Sequence, residues 1–330
     1  MTSRSILLWL INRSSLILIA LVFAILGSLS DRFLDPQNLI NILVQSSSLA
    51  IVATGMTFVL LTAGVDLSVG SVMFVAVAVS GKMISSGQSL WLAFAAGLGV
   101  GLIGGVVNAF VITRLKVLAF IATLSTLFIA RGFGLWLTNT RAMNMTDPVT
   151  ELGTSAWLGV PVPIIVMLAV MLSAQFWLSA TPWGRQMYAI GNDADTARTA
   201  GIRVGAILFS TYVFCGACAA LSGLVSLTQT GAVSPSFGEQ KEFSAIAAAV
   251  LGGTSLFGGR GSVIPGTLFG AILFQTIENG LVIVNADPYL YPMILSGIIF
   301  LAVLLDTTRE RIARNLTRRR IRPEQELEPA

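Results

Sequence analysis

The feature that most constrains this chain is a succession of long apolar segments, about ten of them, with nearly all cationic side chains gathered in alternate gaps. A helical crossing of the hydrocarbon core needs about 20 apolar residues, and each Leu, Ile, Val or Phe favours insertion by roughly 0.3 to 0.6 kcal/mol. The pattern predicts an all-α polytopic membrane protein of about ten transmembrane helices. With 55% hydrophobic and only 11% charged residues, the chain cannot cover a water-facing surface with polar side chains, so lipid is its solvent.

The spans are expected near Ser14–Leu29, Leu39–Thr62, Leu67–Ser86, Leu90–Thr113, Val117–Leu137, Pro161–Ala180, Gly205–Thr228, Phe243–Leu251, Val263–Val284 and Tyr289–Leu305. Phe243–Leu251 is short and followed by glycines, so it reads as a half-helix or re-entrant segment. With both termini cytoplasmic, the cytoplasmic gaps receive all but five of the 20 Lys and Arg residues. Arg32, Lys82, Arg141 and Lys241 face outward, and Arg131 lies within a span. An odd number of crossings would scramble this positive-inside bias. Ser28-Leu29-Ser30 could pass for a signal-peptidase site, but the length of the first span favours an uncleaved helix. One transmembrane domain, 14–305, is therefore expected between a cytoplasmic segment 1–13 and a tail 306–330 that is first basic and then acidic.

The chain contains no His, which removes the commonest zinc ligand, the Ser–His relay and the usual general base near neutral pH. Lys82, Lys116 and Lys241 are its lysines, and none sits in a phosphate-cradling G-x-x-x-x-G-K-[ST] loop. Neither catalysis nor a bound cofactor or metal is expected, and the net charge of +4 marks topology rather than nucleic-acid binding. Gly99-x-Gly101-x-x-Gly104 fits a dinucleotide fingerprint but lies mid-span. The overlapping Gly97, Gly101 and Gly105 form a ridge of small residues suited to close helix packing. Cys215-x-x-Cys218 lies in an apolar helix with no further ligand nearby, which predicts buried, inert thiols.

Polar and Gly-rich interruptions carry the functional signal. Ala63–Ser71 separates two spans, and Asp66 or Ser68 can cap the second. It is either a tight cytoplasmic turn or a helix break whose backbone and Asp66 line a water-filled path. Leu251–Ser262 holds so many glycines, at roughly 1 kcal/mol each against helix formation, that turning, close packing or movement is its purpose. Gly70-Ser71-Val72 recurs as Gly261-Ser262-Val263, which hints at a duplicated half. Arg131 and Glu278 are costly inside spans, and they either pair, flank the outer mouth or reach the outer interface independently. In the loop Thr181–Ile202, Asn192 or Asp193 caps a short helix, Asp195 suits its positive start and Gly201 stops it, giving about two turns on the cytoplasmic face.

Gly55-Met56-Thr57-Phe58-Val59-Leu60, Gly64-Val65-Asp66-Leu67-Ser68-Val69-Gly70-Ser71, Phe120-Ile121-Ala122-Thr123-Leu124, Tyr188-Ala189-Ile190-Gly191-Asn192, Ala245-Ile246-Ala247-Ala248 and Leu251-Gly252-Gly253-Thr254-Ser255 follow in order from Phe33 to Asp306. In this series the chain resembles the membrane permease of ribose-type sugar ABC importers. The resemblance implies a bacterial inner-membrane subunit paired with a second permease copy or a sister chain. It would receive a sugar from a periplasmic binding protein and be driven by a cytoplasmic ATPase. It further implies that Asp195-Thr196-Ala197-x-x-x-Gly201 corresponds to the E-A-A-x-x-x-G coupling helix. Asn192, Asp193, Asp195, Ala197, Arg198 and Gly201 would then form the contact with the ATPase. Thr196 departs from the usual Ala, one Gly of a frequent Gly-Gly before Asn192 is absent, and Ser244 stands where many members have Asp.

The expected mechanism is alternating access along a path of weak polar contacts, since tight binding would trap the solute. Gln45, Ser46, Ser47, Thr54, Thr57, Asp66, Ser68, Thr123, Ser125 and Asn279 are the candidate lining residues, with Gly70, Gly252 and Gly253 as gate positions. An ion-coupled secondary transporter is the alternative, with Arg131 and Glu278 as its meagre relay. An intramembrane lipid enzyme is a third class, which the lack of His disfavours.

Overall fold

The computed structural model describes residues 14–317, so the expected segment 1–13 and residues 318–330 of the tail lie outside the described residues. Its helices are α1 Ser14–Leu29, α2 Pro36–Leu61, α3 Val69–Ser85, α4 Leu90–Thr113, α5 Ala119–Thr138, α6 Asp147–Thr154, α7 Val162–Ala180, α8 Pro182–Asn192, α9 Ala194–Thr199, α10 Val204–Thr230, α11 Lys241–Leu251, α12 Leu268–Ile283 and α13 Tyr291–Thr317. Two minimal antiparallel ladders join Met143–Asn144 to Ala232–Val233 and Ala156–Trp157 to Val160–Pro161.

Among the described residues, six helical stretches are long and apolar enough to cross a membrane: Pro36–Leu61, Leu90–Thr113, Ala119–Thr138, Val162–Ala180, Val204–Thr230 and Val263–Ile283. Leu18–Leu29, Val69–Ser85 and Pro288–Leu301 are apolar but shorter. α11 has 11 residues and so reaches about 16 Å, roughly half the hydrocarbon thickness.

Local chemistry sets the boundaries. Asp35 accepts from Gln37 N at 2.9 Å with Pro36 following, which starts α2 three residues before the expected Leu39. Ser89 caps α4 through Leu92 N, and α10 stops at Gly231 with φ 64°. The span expected from Val263 is broken at its start. Ile264 is extended there, Pro265 has no N–H to give, and regular helix begins at Leu268. Gln175 Oε1 on α7 accepts from both Val263 N and Ile264 N, at 3.1 and 3.0 Å, so the freed donors are satisfied inside the protein. α13 continues as helix past 305 to Thr317, into the stretch expected as the start of the tail.

α2 is the inner helix, and every residue from Ser46 to Leu61 is buried. Its buried hydroxyls at Ser46, Ser47, Ser48, Thr54 and Thr57 are each hydrogen-bonded within the protein, as burial away from water requires. α4 packs on α10 through Gly97, Gly101 and Gly105. A side chain at Gly101 would run into Ala220 and the Gly216 carbonyl, and one at Gly105 into the Tyr212 carbonyl, 2.6 Å away. Gly99, one step off that face, has open space, so the ridge is a packing surface and not a phosphate loop. The outer faces of α4 and α5 expose Trp91, Ile103, Phe110, Phe128, Ile129 and Trp136, so these helices present apolar side chains at the surface of the chain. In the loop after α5, Thr146-Asp147-Pro148 starts the unexpected α6, whose Gly153 lies against the Thr228 carbonyl of α10.

The triplets Gly70-Ser71-Val72 and Gly261-Ser262-Val263 do not share a conformation. The first lies in the opening turn of α3, whereas Ser262 is extended and accepts from Gly266 N.

Candidate functional site

The first break follows Leu61. Thr62 ends α2, Ala63 takes φ 57°, and Gly64 passes so close to Tyr212 that a Cβ would sit 2.6 Å from the phenol oxygen. Beyond it, Asp66 Oδ1 accepts from Ser68 N at 2.9 Å and from the Ser68 hydroxyl at 2.6 Å. Ser68 Oγ in turn accepts from Asn108 Nδ2 at 2.8 Å, and Asn108 Oδ1 accepts from Thr126 Oγ1 at 2.6 Å. This relay ties the break to α4 and α5, and Asp66, Ser68 and Asn108 are each 1% exposed. Cys215 lies against the same carboxylate, and both cysteines are buried free thiols. In this conformation Asp66 and Ser68 face inward and are satisfied by protein groups. Thr123 bonds the Ala119 carbonyl at 2.8 Å and sits 3.5 Å from the Val65 carbonyl of the break.

The second break is the Gly-rich loop 252–262. Gly252 lies against the Gly266 carbonyl and Gly270 against the Ala248 carbonyl, so α11 and α12 touch backbone to backbone. Gly253 takes φ 92° and its N–H bonds the Val250 carbonyl at 2.8 Å, which turns the chain out of α11. Gly70, in the opening turn of α3, packs on the Gly238 carbonyl and on Glu242 Oε2.

The segment Thr181–Ile202 folds as two consecutive helices. Thr181 caps α8 through Gly184 N at 3.3 Å. Asp193 caps α9: its Oδ1 accepts from Asp195 N and Thr196 N at 2.9 and 3.0 Å, and its Oδ2 from Thr196 Oγ1 at 2.9 Å. Those donors, the Thr196 N–H first, hold the Asp193 carboxyl below its ordinary value. Thr196 thus adds a hydroxyl to the cap where the resembled family has Ala. Arg198 pairs with Asp195 at 2.7 Å, Gly201 takes φ 84°, and Ile202 N returns to the Ala197 carbonyl at 3.1 Å. Ala197 is buried while Asn192, Asp193, Asp195, Thr196 and Arg198 stand in the open.

These three features meet. The Tyr188 hydroxyl donates to the Gly261 carbonyl at 2.8 Å, Gly259 N donates to the Leu61 carbonyl at 3.0 Å, and Gly191 is wedged between Leu61 and Gly259. A Cβ on Gly258 would lie 2.6 Å from the Gly191 carbonyl and 2.9 Å from Ala63 Cβ. The end of α8 therefore touches both helix breaks at once, a juxtaposition that sequence order conceals.

A polar seam joins α2 to α12. Asn38 and Asn279 exchange hydrogen bonds at 3.2 and 3.0 Å, Gln45 meets Gln275 at 3.2 Å, and Thr57 meets the Thr267 hydroxyl at 2.6 Å. Thr57 and Asn279 thus belong to a closed helix seam. Of the other lining candidates, Ser46, Ser47, Thr54 and Ser125 bond carbonyls of their own helices. Only Ser47 also reaches another helix, accepting from Gln229 at 3.0 Å.

Of the readings open for Arg131 and Glu278, the pair does not form among the described residues. Arg131 donates to the Phe237 carbonyl at 2.7 Å and lies 5.0 Å from the centre of the Phe74 ring. The acidic charges acting on it are Glu239 and Glu242, of which Glu242 is buried with an unpartnered Oε2. Glu278 stays half-buried on α12, and Asp195–Arg198 is the one ion pair among the described residues. Glu239 and Glu242 precede a short apolar run, and nothing in that pattern signals that the chain folds back to α5.

Residues 38–304 match the family described as branched-chain amino acid transport system / permease component. The chain is 38% identical over 307 residues to the ribose import permease protein of Escherichia coli (strain K12), covering 92% of this chain and 95% of the relative. It is 38% identical to the ribose import permease protein of Bacillus subtilis (strain 168), covering 86% of this chain and 88% of the relative. It is also 34% identical to the D-allose transport system permease protein of Escherichia coli (strain K12), covering 88% and 89%. No solved structure matches the chain. With nearly its whole helical region matched, this chain belongs to the permease family described as branched-chain amino acid transport system / permease component.

Proposed function

We propose that this chain is the membrane permease of an ATP-driven importer for a sugar or sugar-like solute. Relatives named for ribose, allose and autoinducer 2 import, matched over most of their length, support the solute class. In this reading a periplasmic binding protein delivers the solute, a second permease subunit completes the path, and a separate cytoplasmic ATPase supplies the energy. The chain lies in the bacterial inner membrane with ten crossing or re-entrant segments, both termini cytoplasmic, and α9 beneath the bilayer.

The observation that carries the mechanism is the contact of α8 with both helix breaks. A pull on Asp193–Ile202 reaches Leu61–Ala63 and the 258–261 loop through Tyr188, Gly191 and Asn192, with no intervening flexible linker. Such a pull on two interrupted helices is how a small displacement becomes rocking between outward- and inward-open states. The seam Asn38–Asn279, Gln45–Gln275 and Thr57–Thr267 is the barrier that separates as the path opens. Interhelical hydrogen bonds in membranes average about 0.6 kcal/mol, weak enough to break in each cycle.

The test is uptake by proteoliposomes containing this chain, its genomic neighbour ATPase and the binding protein, with ribose and allose as solutes. Accumulation needs ATP and the ATPase. Gly201→Pro and Asp195→Arg leave membrane insertion intact and release the ATPase. Solute accumulation by the permease alone, without nucleotide, would overturn the reading.

A further inference from the structure

A cleft of 1120 Å³ opens beside the coupling segment, between the loop that follows α4 and the start of α10. Arg114 and Lys116 stand on one wall and Arg203 on the other, with Arg198 at the rim. Arg198 is engaged by Asp195, while no ion pair reaches Arg114, Lys116 or Arg203 among the described residues. α10 adds positive potential of the same sign: it is 27 residues long, begins at Val204 directly after Arg203, and has no capping side chain and no acidic residue in its first turn. The cleft is therefore a concentration of uncompensated positive charge.

Its surroundings are apolar. Ile112, Leu208 and Phe209 form the inner wall. Leu115, Leu118 and Phe120, in the same loop and the following helix, are 60%, 72% and 57% exposed. Together with exposed Phe110 one turn above, they continue the lipid-facing belt of α4 and α5 down to the cations. A soluble anion uses only the cations and leaves this belt wet. An occupant with an anionic head and hydrocarbon tails satisfies both.

We propose that this cleft binds the phosphodiester headgroup of an anionic glycerophospholipid, whose acyl chains lie along the exposed face of α4 and α5. The lipid would bridge Arg114 and Lys116 to Arg203 and so brace the junction of α9 with α10 against the α4–α5 loop. That the lipid comes from the cytoplasmic leaflet rests on the orientation proposed above; the binding itself does not.

The experiment is native mass spectrometry of the purified full chain in detergent with equal phosphatidylglycerol and phosphatidylethanolamine. The wild-type chain retains phosphatidylglycerol preferentially. Lys116→Asn, which suits the left-handed backbone there (φ 57°), lowers that affinity about fivefold, the worth of one cation near an anionic lipid surface. The Arg114→Gln/Lys116→Asn/Arg203→Gln variant loses the preference, and Arg141→Gln in the outer loop keeps it. Equal retention of both lipids by the wild type, or an unchanged preference in the triple variant with an unchanged melting temperature, would overturn the proposal. If the triple variant does not fold, the Lys116→Asn arm decides alone. Displacement by millimolar inorganic phosphate would assign the cleft to a soluble anion instead. Loss of ATPase co-purification with unchanged lipid retention would assign it to the ATPase. Because no transport is measured, failure of the importer reading leaves the result intact.

Discussion

The hydroxyl of Tyr188 donates to the backbone carbonyl of Gly261 at 2.8 Å, fastening the last turn of α8 to the Gly-rich loop that ends α11. Three residues on, Gly191 is pressed against Leu61 and Gly259 with no room for a methyl group. Tyr188→Phe removes one hydrogen bond, worth about 1 kcal/mol, and keeps the ring. Uptake falls several-fold while ATPase co-purification is unchanged. Gly191→Ala forces backbone apart and abolishes uptake in a chain that still inserts. Wild-type uptake in both variants would show that α8 transmits nothing to the breaks.

The α4–α10 contact contains its own control. Gly101→Val drives a branched side chain into Ala220 and the Gly216 carbonyl and costs about 3 kcal/mol, read as a lower melting temperature in detergent. Gly99→Ala, two residues away with open space, leaves the melt unchanged or raises it slightly through helix propensity. Equal effects of the two would mean that the ridge is not a packing surface.

Ser68 stands between two buried polar groups, donating to Asp66 and accepting from Asn108. Ser68→Ala takes one donor from Asp66, which keeps the Ser68 N–H, and removes the acceptor of the buried Asn108 amide, at a cost of about 1 to 3 kcal/mol. Asn108→Ala in the same background costs less than it does alone. The coupling, about 0.5 to 3 kcal/mol by double-mutant cycle, measures the relay, and additivity would show that the two bonds act independently.

Charge swapping separates Arg131 from Glu278. Neither touches the other, so Arg131→Glu/Glu278→Arg recovers none of the folded yield lost by Arg131→Glu alone. Arg131→Lys keeps the charge but surrenders the planar contact with Phe74 and retains only part of the bond to Phe237.

Most helices were legible because apolar length is a direct response to lipid, and the ends follow cap chemistry that one residue can announce, as Gly201 and Asp193 do. The spacing of Gly97, Gly101 and Gly105 likewise named its own role. What escaped were the relations between segments. That Tyr188 meets Gly261, that Arg131 meets Phe237 rather than Glu278, and that Asn38 pairs with Asn279 depend on how helices far apart in sequence are stacked. α6 was missed because an eight-residue helix is too short for periodicity to declare, although Asp147-Pro148 was a readable start.

The cap of α9 carries a pH dependence whose sign follows from Asp193. Its carboxylate is held below the ordinary value of 3.8 chiefly by the Thr196 N–H, then by the Thr196 hydroxyl and the Asp195 N–H. A depressed folded value means that ionisation stabilises the cap. That stabilisation is fully present above the ordinary carboxylate value and is lost as pH falls through the lower folded one. At neutral pH the Asp193 cap of α9 is therefore insensitive to pH, and it is lost only in acid. Hydrogen exchange at the Asp195 and Thr196 amides checks this: once corrected for intrinsic rates, protection is flat from pH 8 to about 5 and drops below about 4. Asp193→Asn keeps a side-chain acceptor but cannot titrate, so its protection stays flat throughout. A drop of the same size in the Asn variant would place the acid-sensitive group elsewhere and overturn the assignment to Asp193.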